Sequence, residues 1–141
     1  MNEEITFRKY EDNDFLGVVE LLQEISKYRP NTEIHKEISY QFLNQKNCYP
    51  YIAVIEKKVI AYGSVHIYMR VRGGKSAVIE DMVVDSSMRG KGIGRQLLSL
   101  LVEESMNQKC FKISLEASKI AEKFYRSCGF QLAGRTMNLK I

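Results

Sequence analysis

The sequence predicts an α/β domain built around a mixed sheet, and three observations lead to this fold class. Segments rich in β-branched residues alternate with segments whose apolar residues recur every three or four positions. Their order is one strand, two helices, three strands, a helix, a strand, a helix and two strands, which gives about six to seven strands and about four helices. A chain of 141 residues can bury one sizeable core, so we expect a single domain over residues 1–141.

The first strand and two helices open the chain. Ile5–Arg8 alternates apolar and polar residues, as a short strand does. Asp12 or Asn13 can cap the next helix, which we expect to stop near Tyr28. A second helix begins at about Thr32, which is its predicted cap. The apolar faces are Phe15, Val18, Val19, Leu22 and Ile25 in the first helix, and Ile34, Ile38, Phe42 and Leu43 in the second.

A hairpin is predicted next. Its strands are Tyr51–Glu56 and Val59–Val65, joined at Lys57 and Lys58, and the second strand continues through Tyr68. A basic connection that contains two glycines, Arg70–Lys75, then leads into the central strand.

The stretch from Val78 to Leu98 changes halfway from the apolar pattern of a strand to that of a helix. The rest of the chain is organised around it. Val78–Val84 is a β-branched run broken by Glu80 and Asp81, which predicts a buried strand with a polar pair at a special place. The helix that follows has Ile93, Leu97, Leu98 and Leu101 on one face. Between strand and helix lies Arg89–Gly94, a turn with three glycines and two cations.

This turn is suited to bind an anion. Glycine permits positive φ and has no Cβ, so several backbone N–H groups can point at one place, and the start of the next helix adds its free amides and dipole. A P-loop has the pattern G-x-x-x-x-G-K-[ST], and Gly74-Lys75-Ser76 could form its end. It is excluded because the first glycine of that pattern would fall at position 69, which is Met69. The dinucleotide fingerprint G-x-G-x-x-G is also excluded. Its last glycine would fall on Arg95 if the motif began at Gly90, and on Leu97 if it began at Gly92. We therefore expect the turn to bind the diphosphate of a ligand that neither a P-loop nor a dinucleotide fingerprint recognises.

The C-terminal part of the chain carries the last elements. Cys110–Leu115 is predicted as a fifth strand, and Ile120–Ser127 as a short helix that Gly129 ends in a left-handed cap. Gln131–Ala133 and Thr136–Ile141 alternate well enough to predict a final hairpin.

Composition excludes several classes of function. The net charge of +4 suits an anionic cofactor, but there is no basic stripe of the kind that binds nucleic acid. The cysteines Cys48, Cys110 and Cys128 form no C-x-x-C pair and only His35 and His66 could join them, so neither a disulfide framework nor a metal site is expected. No apolar run approaches ~18 residues and the start is acidic, so we expect a cytoplasmic protein without signal peptide or membrane span.

Two motifs carry a resemblance to a known family. Arg89, Gly92 and Gly94 form Arg-x-x-Gly-x-Gly directly after the acid-bearing strand, which resembles the acyl-CoA pyrophosphate loop of the GCN5-related N-acetyltransferases (GNAT). The segment Phe124–Phe130 resembles the family's F-Y-x-x-x-G-F. The order of elements matches along the whole chain. The resemblance implies the GNAT fold, a mixed and mostly antiparallel sheet whose central strand splays from the fifth strand to receive acyl-CoA.

The same resemblance implies acetyl-CoA as co-substrate and gives residues their roles. Met82, Val83 and Val84 would lie along the pantetheine, with the Met82 N–H as oxyanion donor. Tyr125 would point at the cofactor sulfur, where a phenol of pKa ~10 can protonate a departing thiolate of pKa ~8.5. The pyrophosphate loop would consist of Arg89, Gly90, Lys91, Gly92, Ile93, Gly94 and Arg95.

The acceptor side has four candidate residues. Glu80 and Asp81 are adjacent on a strand and should face opposite sides of the sheet, so only one can readily be the base unless a bulge relaxes that rule. We expect Glu80 to orient a water or the amine and Asp81 to assist substrate binding. Arg70 and Arg72, in the loop before the acids, are candidates to contact a negative group of the substrate.

The predicted activity is N-acetylation of a primary amine on a small molecule. The run from Ile79 to Val84, with the basic loop before it, looks most like glucosamine 6-phosphate N-acetyltransferases and their bacterial relatives, so an amino sugar phosphate is the first acceptor to consider. The pattern departs at Ala121, where those enzymes have an asparagine. Alternatives are acetylation of a protein lysine, an N-terminus, a polyamine or an aminoglycoside, or a non-catalytic acyl-CoA sensor. The sequence leaves open whether two copies form a homodimer.

Overall fold

The computed structural model describes residues 4–141 and has a five-stranded sheet at its centre. The strands run in the order β1-β2-β3-β4-β5, and all neighbours are antiparallel except β4 and β5, which are parallel. The predicted mixed, mostly antiparallel sheet is therefore confirmed. The strands are β1 (Thr6–Lys9), β2 (Cys48–Ile55), β3 (Lys58–Met69), β4 (Lys75–Val84) and β5 (Cys110–Leu115).

Four α-helices cover the two faces of this sheet, as predicted. They are α1 (Phe15–Leu22), α2 (His35–Leu43), α3 (Ile93–Asn107) and α4 (Lys119–Ser127). One face packs against α1 and α2, where Val18, Leu21 and Phe42 meet Tyr62 and Val83 of the sheet. The opposite face packs against α3 and α4, with Leu97, Leu98, Leu101 and Tyr125 against Ala61, Val65 and Ile79. None of the helices in residues 4–141 is long and apolar enough to cross a membrane.

The ends of the first two helices differ from the prediction. A capping box between Glu11 and Asp14 starts the first helical segment, in place of a cap by Asp12 or Asn13, and Asn31 rather than Thr32 caps the second. Helix α1 ends at Leu22 instead of near Tyr28. Tighter i→i−3 bonds take over after Leu22, and Ile25, expected on the buried face, is 50 % exposed.

The end of α4 follows the prediction in detail. Gly129 is left-handed with φ of 96°, Phe130 N–H donates to the Tyr125 carbonyl, and Gly129 N–H donates to the Arg126 carbonyl. These two bonds define a Schellman cap, and the contact between the Phe130 and Tyr125 rings, 5.8 Å between centroids, completes it.

The predicted final hairpin is wrong for the described chain. Residues 130–141 contain no strand, so the sheet has five strands rather than about six to seven. The alternation of apolar residues favours an extended conformation, but a strand forms only when an edge pairs with it. No such pairing occurs within residues 4–141.

Candidate active site

The central strand has an open edge at its C-terminal half. Strand β4 pairs with β5 only from Lys75 to Ile79, where β5 reaches its last residue, Leu115. Within residues 4–141, no strand continues that ladder beside Glu80–Val84, while β3 occupies the other side. The predicted splay of β4 from β5 is therefore confirmed. Backbone N–H and C=O groups at such an edge can pair with an extended ligand.

A bulge lies in this open segment. Val83 pairs with Tyr62 and Glu80 pairs with Ser64, so the single residue Gly63 stands opposite both Asp81 and Met82. Asp81 is left-handed, with φ of 53°, a conformation that Asp adopts more readily than most residues. The bulge therefore combines an extra residue with a local reversal of the backbone.

The bulge relaxes the rule that would set Glu80 and Asp81 on opposite sides, as the sequence analysis allowed. Ser64 and Tyr62 lie two residues apart and share one face of β3, so their partners Glu80 and Val83 also share a face although they are three apart. Asp81 is the extra residue of the bulge and shares its position opposite Gly63 with Met82. Both acids are exposed. Glu80 lies on the face that carries α1 and α2, because Tyr62 and Val83 on that face pack against those helices.

Gly63 makes room for the bulge, a requirement that sequence reasoning missed. A Cβ at this position would lie 2.9 Å from Met82 Sδ and 3.0 Å from Leu101 Cδ1. Met82 therefore packs directly across the Gly63 backbone, between the sheet and α3. A conspicuous glycine inside a strand was the signal available in the sequence.

The glycine turn is open in the way an anion site requires. Gly90 and Gly92 have φ of 80° and 79°, and a Cβ on either would meet no atom within 4 Å. The first helical bond of α3 runs from Gln96 N–H to the Gly92 carbonyl at 3.1 Å. The three preceding amides, those of Ile93, Gly94 and Arg95, therefore have no partner inside the helix. These amides and the helix dipole make the turn fit a diphosphate.

Two cations of the turn are held by the protein itself. Arg89 Nη2 donates to Glu24 Oε2 at 3.2 Å, and its Nε donates to the Val84 carbonyl at 3.3 Å. Glu24 Oε1 also accepts from Ser86 N–H at 3.1 Å, so this residue, which the sequence did not single out, ties the end of α1 to the turn. Arg95 Nη2 donates to Ser127 Oγ at 2.8 Å, which joins α3 to α4.

Tyr125 lies beside the open strand. Its ring is 8 % exposed and packs edge-on against Phe124, 5.1 Å between centroids, in the cluster that includes Ile79 and borders Met82. The hydroxyl has no hydrogen-bond partner among residues 4–141, yet it is not sealed from solvent. Burial raises the pKa of Tyr125 above its ordinary value, so the phenol stays protonated at neutral pH. The structure thus places the ring of this protonated phenol in the apolar cluster that borders Met82.

Polar residues line the sheet next to Glu80. Ser64 Oγ lies 3.4 Å from the Glu80 carbonyl and 3.3 Å from His66 Nε2, which is 3.8 Å from Cys48 Sγ. Burial raises the pKa of Cys48 to about 11, so this thiol is not a reactive nucleophile at neutral pH. Sequence reasoning treated Ser64 and His66 only as strand residues, because alternation alone does not show which face borders a site.

Arg70 and Arg72 are not adjacent to the acid pair. Arg70 Nε donates to Ser76 Oγ at 3.1 Å, and the guanidinium stacks on Tyr68, 5.2 Å from the ring centroid. Ser76 is on the same face as Glu80 but four residues earlier on β4, which corresponds to about 13 Å. Arg72 is exposed in the turn beyond.

A strand that splays open and ends at a glycine-rich anion loop defines a protein of the acyl-CoA-binding class. Comparison with known proteins agrees: residues 9–130 match the "Acetyltransferase (GNAT) family". The chain belongs to this family and is an acetyl-CoA-dependent N-acetyltransferase.

Several relatives are similar over nearly their whole length. The chain is 32 % identical to "Glucosamine 6-phosphate N-acetyltransferase 1" of Dictyostelium discoideum over 143 aligned positions, which cover 97 % of this chain and 91 % of the relative. The crystal structure of glucosamine-6-phosphate N-acetyltransferase from Arabidopsis thaliana superimposes with a TM-score of 0.90 at 28 % identity, covering 98 % and 99 % of the two chains. A predicted acetyltransferase from Clostridium acetobutylicum, solved with acetyl-CoA, superimposes with a TM-score of 0.78 at 25 % identity over 97 % and 96 %.

Proposed function

We propose that this chain transfers the acetyl group of acetyl-CoA to the primary amine of an amino sugar phosphate, with glucosamine 6-phosphate as the first acceptor to test. The observation that carries the proposal is the single bulged strand β4. Its open edge leads to the anion loop, Glu80 lies on the sheet face toward α1 and α2, and Asp81 is exposed at the bulge beside it. The names of the relatives support the choice of acceptor.

The cofactor site that we propose is the one described above. Met82, Val83 and Val84 offer backbone groups to the pantetheine at the open edge, and Arg89 to Arg95 surround the pyrophosphate. The fit rests on the empty space at Gly90 and Gly92 and on the free amides at the start of α3. Bound acetyl-CoA supplies an acetyl thioester to the place where β4 and β5 separate.

Four groups of this chain have proposed roles in the reaction. The Met82 N–H is the proposed donor to the oxygen that gains charge when the amine attacks the thioester carbonyl. Tyr125 is the proposed general acid, because its protonated hydroxyl is free of other partners and can donate to the sulfur as it leaves. Glu80 is the proposed acceptor for the amine's proton, directly or through a water, with Asp81 helping to hold the ammonium form for binding.

The position of Arg70 separates the negative group of the acceptor from its amine. Arg70 Nε bonds Ser76 Oγ, and Ser76 lies four residues before Glu80 on the same face of β4, about 13 Å along the backbone. An acceptor that carries its negative group several atoms away from the amine, as an amino sugar phosphate does, suits that arrangement. Arg72, in the exposed turn, is the second candidate for the same negative group.

Steady-state kinetics across a set of amines test the proposal. We expect glucosamine 6-phosphate to give a higher kcat/KM than glucosamine, spermidine or a lysine peptide. Arg70→Gln should lower kcat/KM for the phosphorylated sugar by about 10- to 150-fold, the value of one charge-assisted contact, and should hardly change that for glucosamine. Lys46→Gln removes an exposed cation elsewhere and serves as the charge-matched control.

The competing functions predict different results. A preference for glucosamine or for a cationic amine would reject the phosphate-binding role of Arg70. Binding of acetyl-CoA without thiol release for any amine would favour a sensor. The exposed acid pair and the free hydroxyl of Tyr125 argue for turnover, because a sensor needs only the anion loop.

A further inference from the structure

A polar strip crosses one face of the sheet between the two proposed ends of the acceptor. It consists of three cross-strand pairs of β3 and β4, which are Ser64 with Glu80, His66 with Val78, and Tyr68 with Ser76. The apolar cluster under α1 and α2 includes Tyr62 and Val83 of the same face but no residue of these three pairs. The polar strip therefore lies outside the apolar layer that the two helices form with the sheet.

His66 occupies the middle of the polar strip. Glu80 lies at one end, where the amine is expected, and Ser76 with its partner Arg70 lies at the other, where the negative group is expected. Val78, the other member of the middle pair, is apolar, so His66 supplies the polar side chain between the two ends. The part of the acceptor that joins its amine to its negative group should therefore pass this imidazole.

The contacts of His66 identify which ring nitrogen remains for a ligand. Ser64 Oγ donates its hydrogen to the Glu80 carbonyl at 3.4 Å, so toward His66 the same oxygen acts as an acceptor. His66 Nε2, which is 3.3 Å from Ser64 Oγ, therefore carries the ring hydrogen and donates it to Ser64. In a neutral imidazole of this form, Nδ1 is the acceptor.

His66 Nδ1 is available to a ligand. It has no hydrogen-bond partner among residues 4–141, and both contacts of the ring, to Ser64 and to Cys48, involve Nε2. The ring is only partly buried, and the Tyr10 hydroxyl is the one sealed side-chain polar atom without a partner in the described part of the chain. Nδ1 is therefore open to solvent on a ring whose other nitrogen is held, and it needs a donor from the ligand.

We propose that His66 selects the acceptor by accepting, at Nδ1, a hydrogen bond from a hydroxyl group that lies between the amine and the phosphate. This inference rests on the proposed function and narrows it to a polyhydroxylated amino sugar phosphate, as opposed to an alkylamine phosphate. Phosphate oxygens only accept hydrogen bonds, so they cannot pair with Nδ1. An alkyl chain would leave Nδ1 unpaired, and a site built to bond a hydroxyl rejects the analogue that lacks it.

Two acceptors of matched length test the role of the hydroxyl groups. Glucosamine 6-phosphate and 5-aminopentyl phosphate separate nitrogen from phosphorus by the same number of atoms, and only the sugar carries hydroxyls. His66→Phe should lower kcat/KM for the sugar by about 2- to 13-fold, the value of one neutral hydrogen bond, and hardly change that for the alkyl phosphate. Both acceptors are measured on one sample, so any loss of folded protein cancels in the ratio. Equal losses for the two acceptors would overturn the proposal.

Two amide variants separate this role from a purely structural one. The amide oxygen of Asn can take the place of Nδ1, whereas the longer Gln reaches the place of Nε2. His66→Asn should therefore keep most of the preference for the sugar, and His66→Gln, which can keep the bond to Ser64, should lose it as His66→Phe does. The reverse order would show that His66 only supports Ser64, and would refute the inference. A preference of the unaltered enzyme for glucosamine over glucosamine 6-phosphate would reject the proposed function, and the role of His66 with it.

Discussion

Removing the hydroxyl of Tyr125 is the sharpest test of the proposed chemistry, because the ring makes the packing contacts and the hydroxyl alone would supply the proton. The ring contacts Phe124 and Phe130 and is 8 % exposed, so Tyr125→Phe keeps those contacts. The hydroxyl has no hydrogen-bond partner among residues 4–141, so its loss leaves no buried group unpaired. We expect the free energy of unfolding to change by less than about 1 kcal/mol.

The expected effect on catalysis is much larger. A general acid typically contributes ~10²–10⁴-fold, which corresponds to about 2.7–5.4 kcal/mol in the barrier. The loss should fall on kcat, while the Kd of acetyl-CoA should hardly change, since the ground state does not need the proton. Burial raises the pKa of Tyr125, so activity of the unaltered enzyme should not decline through loss of this proton until the pH exceeds ~10.

Thiol release and calorimetric binding measure these quantities on the same samples. Phe124→Leu is the control for packing, because it perturbs the neighbouring ring and leaves the hydroxyl in place. It should lower the melting temperature more than Tyr125→Phe does and lower kcat less. Full turnover in Tyr125→Phe would refute the assignment and leave water or the incoming ammonium as the source of the proton.

Three further variants test the geometry. Gly63→Ala places a Cβ 2.9 Å from Met82 Sδ, so overpacking should lower the free energy of unfolding by about 1–3 kcal/mol. The resulting shift of the bulge should also lower kcat. An unchanged thermal melting curve would contradict this prediction. Gly92→Ala forces a φ of 79° on a residue with a Cβ, which costs about 1–2 kcal/mol. The variant should weaken the binding of CoA at least ~tenfold and leave the binding of pantetheine unchanged. Equal losses for the two ligands would place the diphosphate elsewhere. Burial alone would raise the pKa of Asp14, but hydrogen bonds from Arg8 and a backbone amide lower it overall. Asp14→Asn should therefore destabilise the fold by about 1–3 kcal/mol near neutral pH. The difference should shrink as the pH falls below ~4 and vanish once the pH is below the lowered pKa of Asp14, where the unaltered carboxyl takes up its proton.

Features determined by neighbouring residues could be predicted from the sequence. The Gly129 cap of α4 follows from a glycine directly after an amphipathic segment, and the structure confirms its left-handed conformation. The anion loop follows from glycines between an apolar strand and an apolar helix face, and Gly90 and Gly92 have the expected positive φ. Boundaries were less accurate, because caps such as Asn31 depend on which side chain reaches a free amide.

Features that depend on distant pairing could not be predicted. The position of the bulge depends on Gly63, about twenty residues before Asp81, and on Met82 packing over it. The end of α1 is tied to the anion loop by Glu24, which accepts from Ser86 and Arg89 more than sixty residues away. The predicted last hairpin failed for a related reason: alternation in residues 136–141 indicates a strand but does not identify the edge that pairs with it.

The bulge explains how one strand can serve two substrates. In a regular strand Glu80 and Asp81 would point to opposite faces, and one of them would meet the apolar layer beneath α3 and α4. The extra residue releases Asp81 from that alternation and leaves both acids exposed, while Met82 and Val84 keep their side chains in that apolar layer. Because the same backbone segment forms the open edge, a shift of the bulge moves the acids and the proposed oxyanion donor together. Gly63 should therefore affect both sites, although in this structure it packs against Met82 and α3 rather than beside the acids.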